Sequence, residues 1–281
     1  MPKVAIVRGK DPQEMTVQAM EMAEAEKALT PGKPVLIKPN YINARHPSTG
    51  ITTDGRVIEG VVRFLKGQGA EEIVIGEGSG HSDTFEAFGV AGVDRVAERW
   101  GVRLADLNRD EFVEVSPSDP LALTRVKVAR TALDSTIVSV PKLKLHRITG
   151  VTLSIKNMMG AMTPKGSMHT NLSRNIADLA SVVRPSIAVV DGIIAGEGHE
   201  TSDDPVEMNL VIAGTAPVAV DAVGAAVMGV QPESVKHLRY AEQRGLGTCD
   251  LGRIEVVGEP IEEVKRKFRR SFSSRILRLL A

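Results

Sequence analysis

Short apolar runs alternate along this chain with longer segments of helical periodicity, and this alternation restricts the fold more than any other feature. The candidate strands are Val4–Val7, Val35–Ile37, Ile73–Ile75, Ile137–Val140, Ile187–Val190, Leu210–Ala213 and Ile254–Val257. The candidate helices are Asp11–Leu29, Arg56–Gly67, Val93–Trp100, Asn171–Val183, Pro217–Met228 and Glu233–Arg244. Such alternation is typical of a mostly parallel sheet flanked by helices. The sequence therefore predicts an α/β fold.

The stretch from Asp110 to Val128 departs from this pattern. Its shorter alternating runs and its Ser-Pro-Ser-Asp-Pro turn predict a small β-hairpin-like insert. No internal repeat or low-complexity linker divides the chain, so we expect a single α/β domain over residues 1–258, with an arrangement in two lobes left open. Residues 259–281 follow as a basic amphipathic tail.

Composition excludes several classes of function. The chain has 281 residues, and its 35 basic and 35 acidic residues give a formal net charge of zero. This balance and an aromatic content of only 3% argue against a nucleic-acid partner. No apolar run approaches the roughly 20 residues that span a bilayer. The first residues enter a strand-like run without a signal-peptide pattern, which predicts a cytoplasmic protein without a transmembrane segment.

Cysteine and histidine usage limits the metal chemistry. The single cysteine, Cys249, excludes an intramolecular disulfide and an iron–sulfur cluster held by cysteines of this chain alone. We interpret Cys249 as an incidental loop thiol. No His-Glu-x-x-His or comparable spacing occurs, so no metal site is predicted at the level of motifs, and the residues specify no cofactor.

Polar residues follow several of the predicted strands at the point where each strand ends. Their segments are Lys38-Pro39-Asn40, Gly76-Glu77-Gly78-Ser79-Gly80, Pro141-Lys142-Leu143-Lys144-Leu145-His146 and Asp191-Gly192. The carboxyl ends of parallel strands share one edge of a sheet, and ligands bind in the crevice beyond that edge. We therefore expect these segments to meet at a single cleft.

The residue types in that cleft suit a small organic anion. The residues predicted to bind a carboxylate or phosphate group are Lys38, Asn40, Gly78, Ser79, Lys142, Lys144, Lys156 and Asn157. The residues predicted to be catalytic are His146, His169 and Asp191, because imidazoles and carboxylates move protons near neutral pH. Alternation along an extended segment places Lys142, Lys144 and His146 on one side. Asp221, in an apolar helix, is expected either to brace the site loops or to lie on a polar helix edge.

The ordered set of these segments resembles the domain of unknown function 362 family. The most specific block is Pro141–His146 followed by Gly150-Val151-Thr152-Leu153-Ser154-Ile155-Lys156-Asn157 with Gly160, and His169, Asp191-Gly192 and Ala219-Val220-Asp221-Ala222 continue the match. The resemblance covers about residues 3 to 258. Many members carry an appended ferredoxin-like module with cysteine ligands. This chain has no such module, so the resemblance implies that any iron–sulfur role requires a partner protein. It implies no established catalytic role.

Two classes of function are compatible with these residues. The first is an enzyme that acts on a small anionic molecule bound by the lysines. The second is a non-catalytic accessory protein, linked to a ferredoxin-like partner, that handles a cofactor or an iron–sulfur cluster. A homo-oligomer is left open.

The C-terminal tail offers a docking element for the second function. Its basic residues are Lys265, Arg266, Lys267, Arg269, Arg270, Arg275 and Arg278, with apolar residues between them. Such a segment can form an amphipathic helix that binds an acidic partner, rests on an anionic membrane or packs on its own body. If the tail serves only for docking, its removal from Val264 onwards should spare enzyme activity.

Overall fold

The computed structural model describes residues 1–271. Its strands are β1 (Lys3–Arg8), β2 (Val35–Pro39), β3 (Ile73–Glu77), β4 (Arg103–Asp106), β5 (Phe112–Val115), β6 (Val126–Ala129), β7 (Thr136–Val140), β8 (Lys142–His146), β9 (Gly150–Thr152), β10 (Met162–Thr163), β11 (Ile187–Gly196), β12 (Pro205–Gly214) and β13 (Glu255–Gly258). Its α-helices are α1 (Pro12–Met22), α2 (Gly55–Gly67), α3 (Thr84–Ala91), α4 (Val93–Trp100), α5 (Arg130–Asp134), α6 (Ser154–Asn157), α7 (Leu172–Val182), α8 (Pro217–Val227), α9 (Lys236–Gln243) and α10 (Ile261–Val264).

A ten-stranded sheet forms the middle layer. Its main path is β13-β1-β12-β11-β7-β2-β3-β4, and β8 and β9 extend it beside β11. Along the main path all neighbours are parallel except those of β12, which is antiparallel to both β1 and β11. The predicted α/β class with a mostly parallel sheet is therefore confirmed.

Helices cover both faces because the strands are apolar on both sides. On β1, Val4 and Ile6 belong to the core that contains α7, α8 and α9. Ala5 and Val7 belong to the opposite core, which contains α1, α2, α3 and α4. Successive side chains of a strand point to opposite faces, so a run buried on both faces reads as continuously hydrophobic.

The predicted insert is a small separate sheet. β5 and β6 pair antiparallel, and β10 adds to the edge of β6. The hairpin-like expectation for Asp110–Val128 is confirmed. The third strand was not predicted, because two residues carry too little periodicity to be detected.

Beyond the short helix α10, the described part of the tail is an extended strap and not an amphipathic helix. α10 ends at Val264, and the following backbone N–H groups bond elsewhere: Arg266 donates to Val227 O at 2.9 Å and Phe268 to Met228 O at 3.1 Å. These bonds to the end of α8 replace the i→i−4 bonds of a helix, and Phe268 is buried. Residues 272–281 of the predicted tail lie outside the described residues. The domain boundary after residue 258 stays a prediction.

Beyond Phe268 the strap contacts the loop between β11 and β12. Gly198 N–H donates to Arg269 O at 2.8 Å, and Ser271 N–H donates to Gly198 O at 3.2 Å. The Arg269 guanidinium pairs with Glu197 at 2.6 Å. The strap therefore holds a loop that begins at the carboxyl end of β11.

Candidate functional site

The polar segments identified in the sequence meet at one edge of the large sheet. β3, β2, β7 and β11 lie side by side and run parallel, so their carboxyl ends share that edge. β8 carries the chain beyond Pro141 and pairs with the longer β11, with Lys142 in register with Asp191. Ligands bind beyond this edge in α/β sheets.

A buried network around Lys38, Glu77 and Asn157 forms the floor of the site. Lys38 Nζ lies 2.6 Å from Glu77 Oε1 and donates to Asn157 Oδ1 at 3.1 Å. Asn40 Nδ2 donates to the same Asn157 oxygen at 3.1 Å, and Gly78 N–H donates to Glu77 Oε1 at 2.8 Å. Burial lowers the pKa of Lys38, although Glu77 acts in the opposite direction. Because its charge is paired with Glu77, Lys38 contributes no excess charge to the site.

Two glycines let the backbone approach this network. A Cβ on Gly160 would lie 2.6 Å from Lys38 Nζ and would also collide with Glu77 Oε1. A Cβ on Gly78 would collide with the carbonyl oxygen of Gly160. Only glycine avoids these collisions, so close packing explains why glycine occupies both positions.

Lys142 and Asp191 form a fully buried ion pair behind the wall of the site. Lys142 Nζ lies 2.7 Å from Asp191 Oδ2, and both side chains are 0% exposed. Asp191 also accepts the backbone N–H of Asp54 at 2.7 Å and that of Ile193 at 2.9 Å. The pair therefore joins β8 to β11 and to the N-cap of α2.

Lys144 is also satisfied by its own protein. Its Nζ donates to Ile51 O at 2.7 Å and to Glu200 O at 3.2 Å. Burial lowers the pKa of Lys144 to about 7, and the positive charge of Lys156 acts in the same direction. The Glu200 carboxylate binds Arg147, with Nε 2.6 Å from Oε1.

His146 has one defined tautomer. Its Nδ1 accepts the backbone N–H groups of Ile148 at 3.1 Å and Thr149 at 3.2 Å, so a neutral ring carries its proton on Nε2. Burial first, and then the charge of Lys156, lower the pKa of His146 well below its ordinary value. Near neutral pH, His146 is therefore an uncharged donor at Nε2, and within residues 1–271 this atom has no hydrogen-bond partner.

Asp221 places the short helix α6, which carries Lys156 and Asn157. Its Oδ1 accepts Ser154 N–H at 2.7 Å and Ser154 Oγ–H at 2.5 Å, and its Oδ2 accepts Ile155 N–H at 3.0 Å. These bonds satisfy donors at the start of the helix. Of the two expectations for Asp221, the structure confirms that it braces a site element.

Lys156 is half-buried and differs from the other lysines of the site. Among the described residues its ammonium group forms no hydrogen bond and no ion pair within 4 Å. Burial lowers the pKa of Lys156 to about 8, with Lys38 acting in the same direction and Glu200 against it. An uncompensated ammonium group that loses hydration is ready to bind an anion.

A short segment over the site contributes Lys165 and His169. Lys165 Nζ donates to Asn108 Oδ1, and burial lowers the pKa of this lysine. His169 is exposed, and its Nδ1 lies 3.3 Å from Gly166 O. A carbonyl oxygen only accepts, so a neutral His169 with this contact carries its proton on Nδ1 and leaves Nε2 free to accept.

These groups surround a cavity of about 500 Å³. Its charged lining residues are Lys38, Glu77, Arg147, Lys156, Lys165 and Glu200. The charges cancel within each of two ion pairs, Lys38 with Glu77 and Arg147 with Glu200. Lys156 and Lys165 remain, so the cavity has an excess of two positive charges when both are protonated. It is therefore suited to an anion.

The predicted site residues divide into two groups in the structure. Those that line the cavity are Lys38, Asn40, Gly78, His146, Lys156, Asn157 and His169. Those that lie behind its wall are Ser79, Lys142, Lys144 and Asp191. Ser79 is 6% exposed and donates from Oγ to Tyr41 O at 2.7 Å. The second group is satisfied by neighbouring protein atoms.

Lys165 and Tyr41 line the cavity without having been predicted. Lys165 lies in the Pro-Lys-Gly-Ser segment that leads to His169. A lysine so close to a predicted site residue could have indicated that it also lines the site. Tyr41 directly follows Asn40, and the chain has only two tyrosines.

Cys249 does not contribute to the cavity. It is buried, and its Sγ lies 3.1 Å from Glu242 Oε2. Burial and the Glu242 carboxylate raise the pKa of the thiol to about 12. Within residues 1–271, no group of three or more His, Cys, Asp or Glu residues is arranged to hold a metal ion.

We expect Cys249 to be unreactive in the folded protein, because the thiolate is the reacting species and is suppressed here. Ellman's reagent at pH 8 should react with less than one thiol per chain in buffer and with one after unfolding in guanidinium. Rapid labelling of the native protein would contradict this.

The strap predicts an effect of truncation on the site. Removing residues 264–281 removes the bonds to Gly198 and Glu197, and the loop they hold also carries Glu200 into the cavity. We expect faster amide exchange over residues 197–204 and weaker anion binding. The matched variant Arg269→Gln removes only the ion pair with Glu197 and keeps the backbone bonds to Gly198, so it should have a smaller effect on both. Equal effects of the deletion and of this variant would contradict the role of the strap.

The fold and the cavity define a mixed α/β protein with a cationic pocket at the carboxyl edge of its parallel strands. A family model described as "Domain of unknown function (DUF362)" matches residues 35–226, and the chain belongs to this family. The chain is also similar to the thylakoid-associated protein sll1697 of Synechocystis sp., with 24% identity over 231 residues that cover 77% of this chain and 69% of the relative.

None of the helices in residues 1–271 has the length and apolar character needed to cross a bilayer.

Proposed function

We propose that this protein is an enzyme that binds a small organic anion, carrying a carboxylate or phosphate group, in the Lys156 cavity. The observation that carries the proposal is the pair of cations, Lys156 and Lys165, that no carboxylate of residues 1–271 neutralises in a cavity whose other charges are paired. An ammonium group that loses hydration without gaining a counter-charge costs stability, and such groups cluster at functional sites.

The two histidines support proton transfer next to a carbonyl group. His169 Nε2 takes a proton from the carbon beside the carbonyl. The electron pair left on that carbon delocalises to form an enolate. The enolate oxygen accepts a hydrogen bond from His146 Nε2–H, and the positive charge of Lys156 stabilises its negative charge. Return of the proton to the same carbon completes an exchange. Where that carbon carries a hydroxyl group, transfer of the hydroxyl proton to the enolate oxygen and return of the first proton to the neighbouring carbon complete an isomerisation. A neutral imidazole donor and a separate base are a known division of labour.

In this proposal Lys142 and Asp191 position the site and do not touch the substrate. Lys38, Asn40 and Asn157 fix its floor, and Asp221 fixes α6.

The test begins with the molecules that acid releases from the purified protein, identified by mass spectrometry. Pyruvate and dihydroxyacetone phosphate, which combine a carbonyl with an anionic group, are then incubated with the protein in D₂O, and loss of C–H signal is followed by proton NMR. His146→Gln and His169→Gln should each abolish exchange without unfolding the protein, and His46→Gln, outside the cavity, should not. Unchanged exchange in both cavity variants would contradict the assigned roles.

Anion binding should depend on pH through Lys156. Below pH about 8 its ammonium is charged in the free protein, and above that value the charge is lost, so affinity for acetate or inorganic phosphate should fall by up to about tenfold per pH unit. Calorimetric titration from pH 6.5 to 9.5 measures this. Lys144, whose pKa is about 7, adds a weaker dependence that Lys144→Met removes. Binding that strengthens as the pH rises through 8 would contradict the electrostatic role.

A second candidate function is the accessory role, with an acidic ferredoxin-like partner. It is favoured by the exposed basic residues Lys265, Arg266 and Lys267 on the strap. Arg266→Glu with Lys267→Glu should abolish salt-sensitive binding of an acidic ferredoxin and leave anion binding in the cavity unchanged. No binding by the unaltered protein at low salt would exclude this role. We propose a cytoplasmic location, which cell fractionation tests.

A further inference from the structure

A second cavity of about 530 Å³ lies directly beside the first. Both cavities have Ile148 and His169 in their walls. His169, proposed above to move the proton, therefore lies at the junction between the two spaces. The two cavities therefore share a wall.

The second cavity has a guanidinium group in its wall. Arg174 lines it, and no Asp or Glu among residues 1–271 does. The Arg174 guanidinium carbon lies 5.9 Å from the centroid of the Tyr240 ring, a cation–π contact that orients the group without neutralising it. No carboxylate of residues 1–271 forms an ion pair with Arg174 within 4 Å.

Three further lining residues, Thr170, Asn171 and Ser173, offer hydrogen-bonding side chains to a phosphoryl group. The hydroxyl groups of Thr149 and Ser234 also line the cavity but already donate to Val151 O at 3.1 Å and to Gln231 O at 2.7 Å. The first turn of α7 also lies in this wall, and the side chain of its N-cap residue Asn171 makes no capping hydrogen bond. A guanidinium fork, hydroxyl donors and a helix start together match the three oxygens and the charge of a phosphoryl group better than the two oxygens of a carboxylate.

We propose that this second cavity is a phosphoryl-binding subsite, and that the substrate is an elongated molecule with a carboxylate or carbonyl group beside Lys156 and a phosphoryl group beside Arg174. This inference rests on the proposed function, since it names the substrate class of the same site. It adds a recognition element that sequence reasoning did not identify, because Arg174 belongs to helix α7 and not to a strand end.

The test uses stable two-headed probes, the phosphonocarboxylates from 3-phosphonopropionate to 6-phosphonohexanoate, titrated calorimetrically. One chain length should bind about tenfold or more tightly than propionate, because linking two heads makes the second contact intramolecular. Arg174→Gln should remove this gain and leave propionate binding unchanged. Arg184→Gln, the same exchange just beyond the other end of α7, should have no effect.

The outcomes separate this inference from the proposed function. If propionate binding depends on Lys156 but no phosphonocarboxylate gains over propionate, the second subsite is wrong and the anion site stands. If dicarboxylates of the same length bind as tightly as phosphonocarboxylates, the phosphoryl assignment is wrong. If none of the probes binds, both proposals are overturned.

Discussion

Replacing Lys156 by methionine is expected to weaken binding of acetate and inorganic phosphate by about 10- to 100-fold, because a charge-assisted hydrogen bond contributes about 1.5–3 kcal/mol. Stability should not fall with it. A lysine whose folded pKa lies below its unfolded pKa binds fewer protons when folded between pH about 8 and 10.4, so its charge destabilises the folded state below that window. At pH 7 the variant should be as stable as the parent or more stable, by up to about 3 kcal/mol.

Calorimetric titration and urea denaturation measure these two effects on the same samples. The matched control is Lys33→Met, which removes an exposed lysine from the opposite end of β2 and should change neither quantity. Loss of stability without loss of anion binding in Lys156→Met would reverse our assignment.

Replacing Lys142 by methionine is expected to give the opposite pattern. The change leaves the Asp191 carboxylate charged and wholly buried without its cation, and breaking such a pair costs about 3–5 kcal/mol. Because a domain is stable by only about 5–15 kcal/mol, this is a large fraction of the total. The melting temperature should fall by roughly 6–20 °C.

The same measurements on Lys142→Met separate structural from direct roles. We expect Asp191→Asn to destabilise the protein to a similar degree, since it removes the other half of the pair. Normal stability together with abolished anion binding would mean that Lys142 contacts the ligand itself, as the sequence predicted.

The place of the site could be predicted from the sequence. The polar segments after β2, β3 and β7 indicated one edge of the sheet. These three strands are neighbours and run parallel, so their carboxyl ends must lie at the same edge. The brace formed by Asp221 could also be anticipated, since a carboxylate in an apolar helix requires partners.

Which lysine is free could not be predicted. Lys142 and Lys156 look alike in sequence, and the difference lies in partners distant along the chain: Asp191 is 49 residues from Lys142. A carboxylate at such a separation becomes a neighbour only when β8 and β11 pair. The sequence therefore identified a lysine-rich site but not which of its lysines has an uncompensated charge.

The tail shows a second limit. Alternating basic and apolar residues beyond Glu263 predicted an amphipathic helix, but residues 265–271 bond to the end of α8 and to Gly198 and are extended. Unpaired carbonyl groups at the end of α8 attract the N–H groups of the strap, and this tertiary preference outweighs the local pattern.

The most direct measurement of the central claim is an anomalous diffraction map from crystals soaked in selenate, an anion whose position the selenium signal locates. Our account predicts a selenium peak in the first cavity, within hydrogen-bonding distance of Lys156 Nζ, and its loss in Lys156→Met crystals. A cavity without a peak in the unaltered protein, or a peak that persists in the variant, would contradict it.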